Sequence, residues 1–521
     1  MAVDHFMSCC SFTSVLVVGV ISLMVYWFWR SQQYLKTFEK SGIPGPRPMY
    51  VLGNLRQLFK GGFCDQLFEW NKEFGRIYGM YLHPSPVVVV SNLDLLRDVF
   101  VKKFTYFHNR MPQKFLQFKP FEDNLLQLRD DNWKLVRSKL SPTFSSGKLK
   151  KMMPAIDRVV KNLGNHVKAK AESGEVVDLK EIAGGFAMDT IAGAAFGMQV
   201  DTLSNPKDPF NVNVINLFKP NKWLMPIIML FPCLATVFRK MGVSFLSVSS
   251  TNFFVEVLEM ALKERRLDKK SYGDFLQLLV EAQKGGDQSK GAVDAEIDFT
   301  AQLQTAKDWN RTAMNDDEIK ANALVFLLAG YDTTSTVLSS TLFHLAANPE
   351  CLRKAQQEVD EKVGNGTVNY DSAGELTYVD MCMNEAMRLF PPLFVIDREI
   401  DEDVELGEFK LKKGWRMVVP CYSIHRDPEY WTDPLKYDPE RHTPEAKAKR
   451  HPFAFMPFGF GPRNCIGMRL AQLEIRMAIA TILQHYAPIL YEKSVYPPVV
   501  EMPQTRMVAK DGLWIKFKHR E

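Results

Sequence analysis

Apolar residues recur at three-to-four spacing over residues 88–103, 147–171, 249–283, 316–347, 349–363, 375–389 and 468–487, the period of an amphipathic helix. Strand patterns are fewer: Ile77–Leu82 with Val87–Val90, joined by His83-Pro84-Ser85-Pro86, and Val404–Leu411 with Arg416–Val419 across Lys412-Lys413-Gly414. This predicts a mainly α protein with a smaller β region, in one large domain over residues 49–521.

One apolar run stands apart. Ser11–Trp29 holds 19 residues without a charge and ends on Tyr26, Trp27 and Trp29; about 20 such residues cross a hydrocarbon core. Met1–Cys10 carries no Lys or Arg, and no Ala-x-Ala site follows, so residues 1–29 are expected to be a single uncleaved N-terminal transmembrane helix rather than a signal peptide. Arg30, Lys36, Lys40 and Arg47 follow the run and Asp4 precedes it, which places the remainder in the cytosol. Residues 30–48 form a basic, Pro-rich linker, stiffened by Pro44, Pro46 and Pro48. Trp223–Phe238, broken by Pro226 and Pro232, is too short to cross a bilayer; core and membrane-surface roles both stay open. The polar stretch 284–312 reads as a loop.

Composition narrows the chemistry. A chain of 521 residues can bury a sizeable pocket. Its net charge of +5, spread over 65 basic and 60 acidic residues, carries no nucleic-acid footprint. Eight dilute cysteines without a Cys-x-x-Cys pair favour reduced thiols. There is no His-Glu-x-x-His pair, Gly-x-x-x-x-Gly-Lys loop or Gly-x-Ser-x-Gly elbow, which removes the usual signatures of zinc hydrolases, P-loop enzymes and serine hydrolases.

The loop Phe458-Gly459-Phe460-Gly461-Pro462-Arg463-Asn464-Cys465-Ile466-Gly467 leads into a helical run. A thiolate there would face unpaired amides near a helix start, which lower a thiol pKa and suit a soft metal. A lone buried structural cysteine is the plain alternative. Likewise Glu385-Ala386-Met387-Arg388 is by itself an ordinary i,i+3 ion pair, and Trp133 with Arg137 an ordinary i,i+4 pair. Ala329, Asp332, Thr333 and Thr336 fall on one face of an apolar helix introduced by Asn315-Asp316-Asp317-Glu318. The Thr could simply bond back to the preceding turn.

Phe458-x-x-Gly461-x-Arg463-x-Cys465-x-Gly467, with Ala471 beyond it, resembles the haem-binding loop of the cytochrome P-450 family. The resemblance extends over nearly the whole chain. Ser141–Lys150 and Pro457–Arg469 look most similar to the microsomal family 3 enzymes. It implies haem b (iron protoporphyrin IX) with Cys465 as the axial metal ligand, whose electron donation favours O–O cleavage. Asp332 and Thr333 would deliver protons, and Ala329 would leave room beside the ring. Trp133, Arg137, Arg398 and Arg463 would bind propionates, with Phe458 and Gly467 close to the sulfur. Glu385, Arg388 and Arg441, the last from Pro439-Glu440-Arg441-His442, would form a buried charge network, with His442 where the family usually has an aromatic. Leu125, Leu126, Phe326, Phe394, Val395 and Ile396, with residues 115–121, would line an apolar pocket.

The same resemblance implies electrons from NADPH through NADPH-cytochrome P-450 reductase, cytochrome b5 as a further partner, a lipophilic substrate, and an endoplasmic reticulum membrane location. Arg137, Lys139, Lys148, Lys150 and Lys151 are expected to offer a basic docking surface or a solvated helix face. Alternative activities on this fold are an isomerase or synthase acting on an endoperoxide and a non-catalytic haem-binding protein. Retention of Asp332-Thr333 favours the monooxygenase.

Overall fold

Asn315 accepts the Glu318 amide and Glu318 reaches back to the Asn315 amide. With Asp316 and Asp317 in the first turn, this reciprocal cap starts the 32-residue central helix Asp316–Ala347. The computed structural model describes residues 2–50, 52–82, 85–113, 118–219, 221, 224, 227–228, 234–241, 243, 245–267, 274–283, 313–501 and 506–520, without the side chains of 2–13, 16, 23, 27 and 239. Helices dominate them. The central helix packs along Leu179–Phe196, which Asp178 caps. Small residues bring the two together: a methyl on Gly330 would lie 2.9 Å from Ile191 Cδ1, and one on Gly184 3.1 Å from the Tyr331 hydroxyl. The same apolar core takes in Ile156, Val160 and Leu163 of helix Ser146–Ser173 and Ile475, Ile479 and Leu483 of helix Met468–His485.

The larger sheet has four strands. Ile77–Leu82 pairs antiparallel with Ser85–Val90, which runs parallel to Arg416–Val419; that strand pairs antiparallel with Ile396–Glu399. This corrects the expected hairpin of Val404–Leu411 with Arg416–Val419. Val404–Leu406 instead folds back on Phe409–Leu411, because Gly407 takes a φ of 60° and turns the chain within two residues. The expected helix over 88–103 is also divided. Val87–Val90 is a buried β-branched strand, and a helix starts only at Leu93, where Asn92 caps it. The 249–283 stretch forms two helices, Val248–Leu267 and Phe275–Gln283. A three-stranded sheet unanticipated from the pattern places Trp514–His519 between Val177–Asp178 and Tyr486–Leu490.

At the amino end, helix Ala2–Leu35 continues past Trp29. Its described apolar residues Val15, Val18, Met24 and Val25 are more than half exposed. Among the described residues no helix is long and apolar enough to cross a membrane. Ile43–Pro48 lies against the sheet: Gly79 N donates to the Pro44 carbonyl at 2.8 Å, and a methyl on Gly45 would collide with the Gly79 carbonyl. The 284–312 stretch, like residues 114–117 and much of Trp223–Phe238, lies outside the described residues.

Candidate active site

Cys465 sits immediately before the helix that Gly467 caps. Its amide donates to the Phe458 carbonyl at 2.8 Å, closing the loop. Gly461 is required for its backbone: its φ is 75°, and a Cβ there would lie 2.3 Å from the Phe100 carbonyl oxygen. Cys465 is surrounded by protein yet exposed, and Ala329 in the middle of the central helix is exposed as well. Burial pushes the Cys465 thiol up; the Gly467 amide, Arg137 and Arg110 pull the other way without cancelling it. The expected lowering by amides is present but outweighed by desolvation. A bound metal cation would deprotonate such a thiol outright.

Four arginines converge beside this loop. Arg137 donates to the Asn464 carbonyl at 3.0 Å and to Asn464 Oδ1 at 2.8 Å, and Arg463 donates to the Leu128 carbonyl at 2.8 Å. Arg463 also lies 4.2 Å over the Trp133 ring. Arg398 donates to the Asp397 carbonyl at 2.8 Å. Arg110, which sequence reasoning missed, donates to the Arg463 carbonyl at 3.4 Å. Burial lowers all four, to about 10 for Arg137 and about 9 for Arg398; at Arg463, repulsion from Arg110, Arg398 and Arg137 adds to it. The Nε atoms of Arg137, Arg398 and Arg463 and Nη1 of Arg463 are buried and make no hydrogen bond among the described residues. Crowded buried cations with unmet donors call for an anion. A haem, with two carboxylates beside a metal that takes a soft sulfur ligand, fits these residues.

The acid and threonine diverge. Thr333 Oγ1 donates to the Ala329 carbonyl at 2.7 Å. Asp332 turns to the opposite side, where its Oδ1 lies 3.4 Å from Lys180 Nζ and 3.2 Å from Arg506 Nη1. Lys180 also donates to Ser335 Oγ at 2.8 Å and Thr336 Oγ1 at 2.7 Å, so Asp332 and Thr336 do not share the accessible face with Ala329. Thr334, the residue after Thr333, donates to Glu474 at 2.7 Å. Burial pushes that carboxyl up to about 8.

Glu385 lies on helix Thr377–Leu389 and, like Arg388, is wholly buried. It accepts Arg388 Nε at 2.8 Å and Nη2 at 2.7 Å, and Arg441 Nε lies 3.4 Å away. His442 does more than occupy an aromatic's place. Its Nε2 is 3.0 Å from Glu385 Oε2, and its ring packs 4.9 Å from that of Phe455.

The pocket candidates divide. Leu125 is buried, its amide held by Asn322 Oδ1 at 2.9 Å, whereas Leu126 is exposed. Phe326 packs against Phe144 and Phe275, at 5.5 and 4.5 Å. Phe394 and Val395 join Cys64, Phe390 and Met507 in a separate cluster, and Ile396 joins the sheet core. Arg137, engaged by Asn464, is withdrawn from any docking surface, and Lys150 and Lys151 are exposed.

This arrangement is that of a haem-thiolate protein. The chain matches the cytochrome P450 family over residues 43–514. Cytochrome P450 3A5 of Homo sapiens is 35% identical over 91% of this chain and 90% of its own. Cytochrome P450 3A31 of Mesocricetus auratus is 36% identical over 91% and 92%, and cytochrome P450 3A56 of Fundulus heteroclitus 35% over 91% of each. The chain belongs to the cytochrome P450 family and is a haem-containing monooxygenase of it.

Proposed function

We propose that this monooxygenase inserts one atom of dioxygen into a lipophilic substrate of steroid, fatty-acid or xenobiotic type, with electrons passed from NADPH by a membrane-bound reductase and cytochrome b5 as an auxiliary donor. The carrying observation is the accessible Cys465 beside three buried arginines with unmet donors, Arg137, Arg398 and Arg463, with Arg110 next to them. Bound there, haem supplies dioxygen activation, with sulfur donation favouring O–O cleavage.

The protein's own parts are then assigned. Cys465 Sγ is the metal ligand, and Arg110, Arg137, Arg398, Arg463 and Trp133 hold the two carboxylates. Ala329 leaves space on the central helix. Thr333 Oγ1 moves a proton on the accessible side, and Asp332 supports that traffic from the far side, ion-paired with Lys180 and Arg506. Leu125, held by Asn322 of the central helix, and Phe326 on that helix are both apolar and suit a lipophilic ligand. Glu385, Arg388, Arg441 and His442 lock helix Thr377–Leu389 to the segment Pro439–His442.

The N-terminal helix with its exposed valines is assigned to an endoplasmic reticulum bilayer, with the catalytic domain on the cytosolic side. Exposed Lys150 and Lys151 suit an acidic reductase. The spectrum of the reduced, carbon-monoxide-bound protein tests the site: a thiolate-type red-shifted Soret band is expected and Cys465→Ser should abolish it. NADPH consumption with reductase, across a panel of lipophilic probes, tests the reaction. Product formation without reductase would overturn the electron route.

A further inference from the structure

Three of the four arginines come from segments that meet a second time, outside the site. Residues 104–111 carry Arg110, helix Asp130–Leu140 carries Arg137 with Trp133, and strand Ile396–Glu399 carries Arg398. The second meeting point is His108. Its Nδ1 lies 2.8 Å from the Thr105 carbonyl oxygen and 3.1 Å from Asp401 Oδ2, and its Nε2 lies 3.0 Å from Asp130 Oδ1. Every partner is an acceptor. A neutral imidazole has one donor, so only the doubly protonated ring satisfies both nitrogens.

The surrounding bonds repeat the connection. Asn109 Nδ2 donates to Asp130 Oδ1 at 2.6 Å and to Asp401 Oδ1 at 2.8 Å, and Asn109 Oδ1 accepts the Asp130 amide at 3.0 Å. Arg129 pairs with Glu399, lies 3.8 Å from Asp401, and donates to the Arg110 carbonyl at 3.3 Å. The Glu399 amide donates to the Asn109 carbonyl and the Asp401 amide to that of Tyr106, both at 2.9 Å. Asp130 takes a φ of 49°, in the left-handed region that Asp tolerates, and in that conformation its side chain and amide meet His108 and Asn109.

We propose that His108, bridging Asp130 and Asp401, is a positioning residue that sets Arg110, Arg137 and Arg398 relative to one another and so governs how tightly haem is retained. The charged groups around the ring are Asp130 and Asp401, with Arg129 and Glu399 behind them. Burial opposes the charged ring, but its bonds to Asp401 and Asp130 hold it above its ordinary value. The exposed Asp130 is held below its ordinary value by Asn109 and His108, and Asp401, despite burial, by His108 and Asn109. The bridge is therefore complete below the ordinary imidazole range and is lost as pH rises through the raised value.

The experiment is haem transfer from the ferric full-length protein to excess apomyoglobin, at about pH 6 and about pH 8.5, either side of the imidazole titration. The unaltered protein should release haem faster at the higher pH. His108→Leu should release it at the faster rate at both, about tenfold above the unaltered protein at the lower pH, the scale for removing a group that orients cofactor ligands. His108→Lys, which restores the charge, should return slow release without the pH step, and His108→Gln should also lack the step. A pH step retained in His108→Gln, or unaltered release from His108→Leu, would overturn the clamp. The inference rests on the haem site above: failure of the unaltered chain to take up haem would overturn both, whereas normal uptake with unchanged release overturns the clamp alone.

Discussion

Replacing Glu385 with glutamine removes one charge from a fully enclosed site and keeps its shape. The two carboxylate oxygens accept Arg388 Nε, Arg388 Nη2, the Asp438 amide at 3.0 Å and His442 Nε2. An amide offers one acceptor oxygen, and its NH2 end would face either Arg388 Nε with His442 or Arg388 Nη2 with the Asp438 amide, donor against donor. Arg388 would keep the carbonyls of His425, Pro434 and Lys436 but lose its counter-charge. Leaving a buried charge uncompensated costs about 3–5 kcal/mol.

Unfolding entropy of about 2.1 cal/mol/K per residue, taken over 43–514, gives roughly 1 kcal/mol per degree, so the unfolding midpoint should fall by about 3–5 °C. Scanning fluorimetry of both proteins at pH 7 measures this, with the carbon-monoxide spectrum reporting haem content. Burial favours the neutral acid, but Arg388 and His442 outweigh it and hold Glu385 below the usual carboxylate range. Its stabilisation is thus present above that range and fades as pH falls through the native value, so the deficit of Glu385→Gln should shrink in acid. A midpoint within about 1 °C of the parent at pH 7, with unchanged haem content, would refute the reasoning.

Gly461→Ala should yield protein without the red-shifted Soret band, because its new Cβ would meet the Phe100 carbonyl at 2.3 Å in a backbone that side chains rarely adopt. Glu474 keeps its proton up to about 8 in the folded chain, but releases it near 4.3 when unfolded; stability falls as pH rises through that window, and Glu474→Gln should gain midpoint against the parent between pH 5 and pH 8. His344 is pushed down to about 4 by burial, and neither ring nitrogen has a hydrogen-bond partner among the described residues. The folded state loses stability as pH falls from about 6.5 to about 4, so His344→Phe should resist acid better in a pH-resolved melting series. Asp332→Asn leaves Lys180 and Arg506 without a counter-charge on the central helix. It should lower product formed per NADPH consumed, and unchanged coupling would remove Asp332 from the proton route.

Local signals carried much of the helical framework and the cysteine loop. Asn315 and Glu318 form the cap that their spacing implies, and Gly461 adopts the positive φ that only a glycine takes freely. What failed was non-local. Val404–Leu411 alternates like one strand, yet Gly407 folds it on itself and Arg416–Val419 pairs instead with Ile396–Glu399 and with Ser85–Val90, the latter far away in the chain. Arg110 and Lys180 gave no signal, since a lone cation in a sequence has no partner to be read against. Asp332 and Thr333 are neighbours in the chain and were expected to act together, but successive helical positions lie about 100° apart, and two distant cations take Asp332.

Sequence alone pointed to the class of chemistry only through the resemblance of its cysteine loop to a known family, while the capped helices were legible because they depend on residues within a turn or two of one another. Tertiary structure decided which charges meet. Four arginines, drawn from residues 110 to 463, share one buried place, and His108 finds Asp130 and Asp401 only after the chain folds. Desolvation explains the difference: a buried charge takes its properties from whatever the fold brings within a few ångströms, and no local pattern encodes that neighbour.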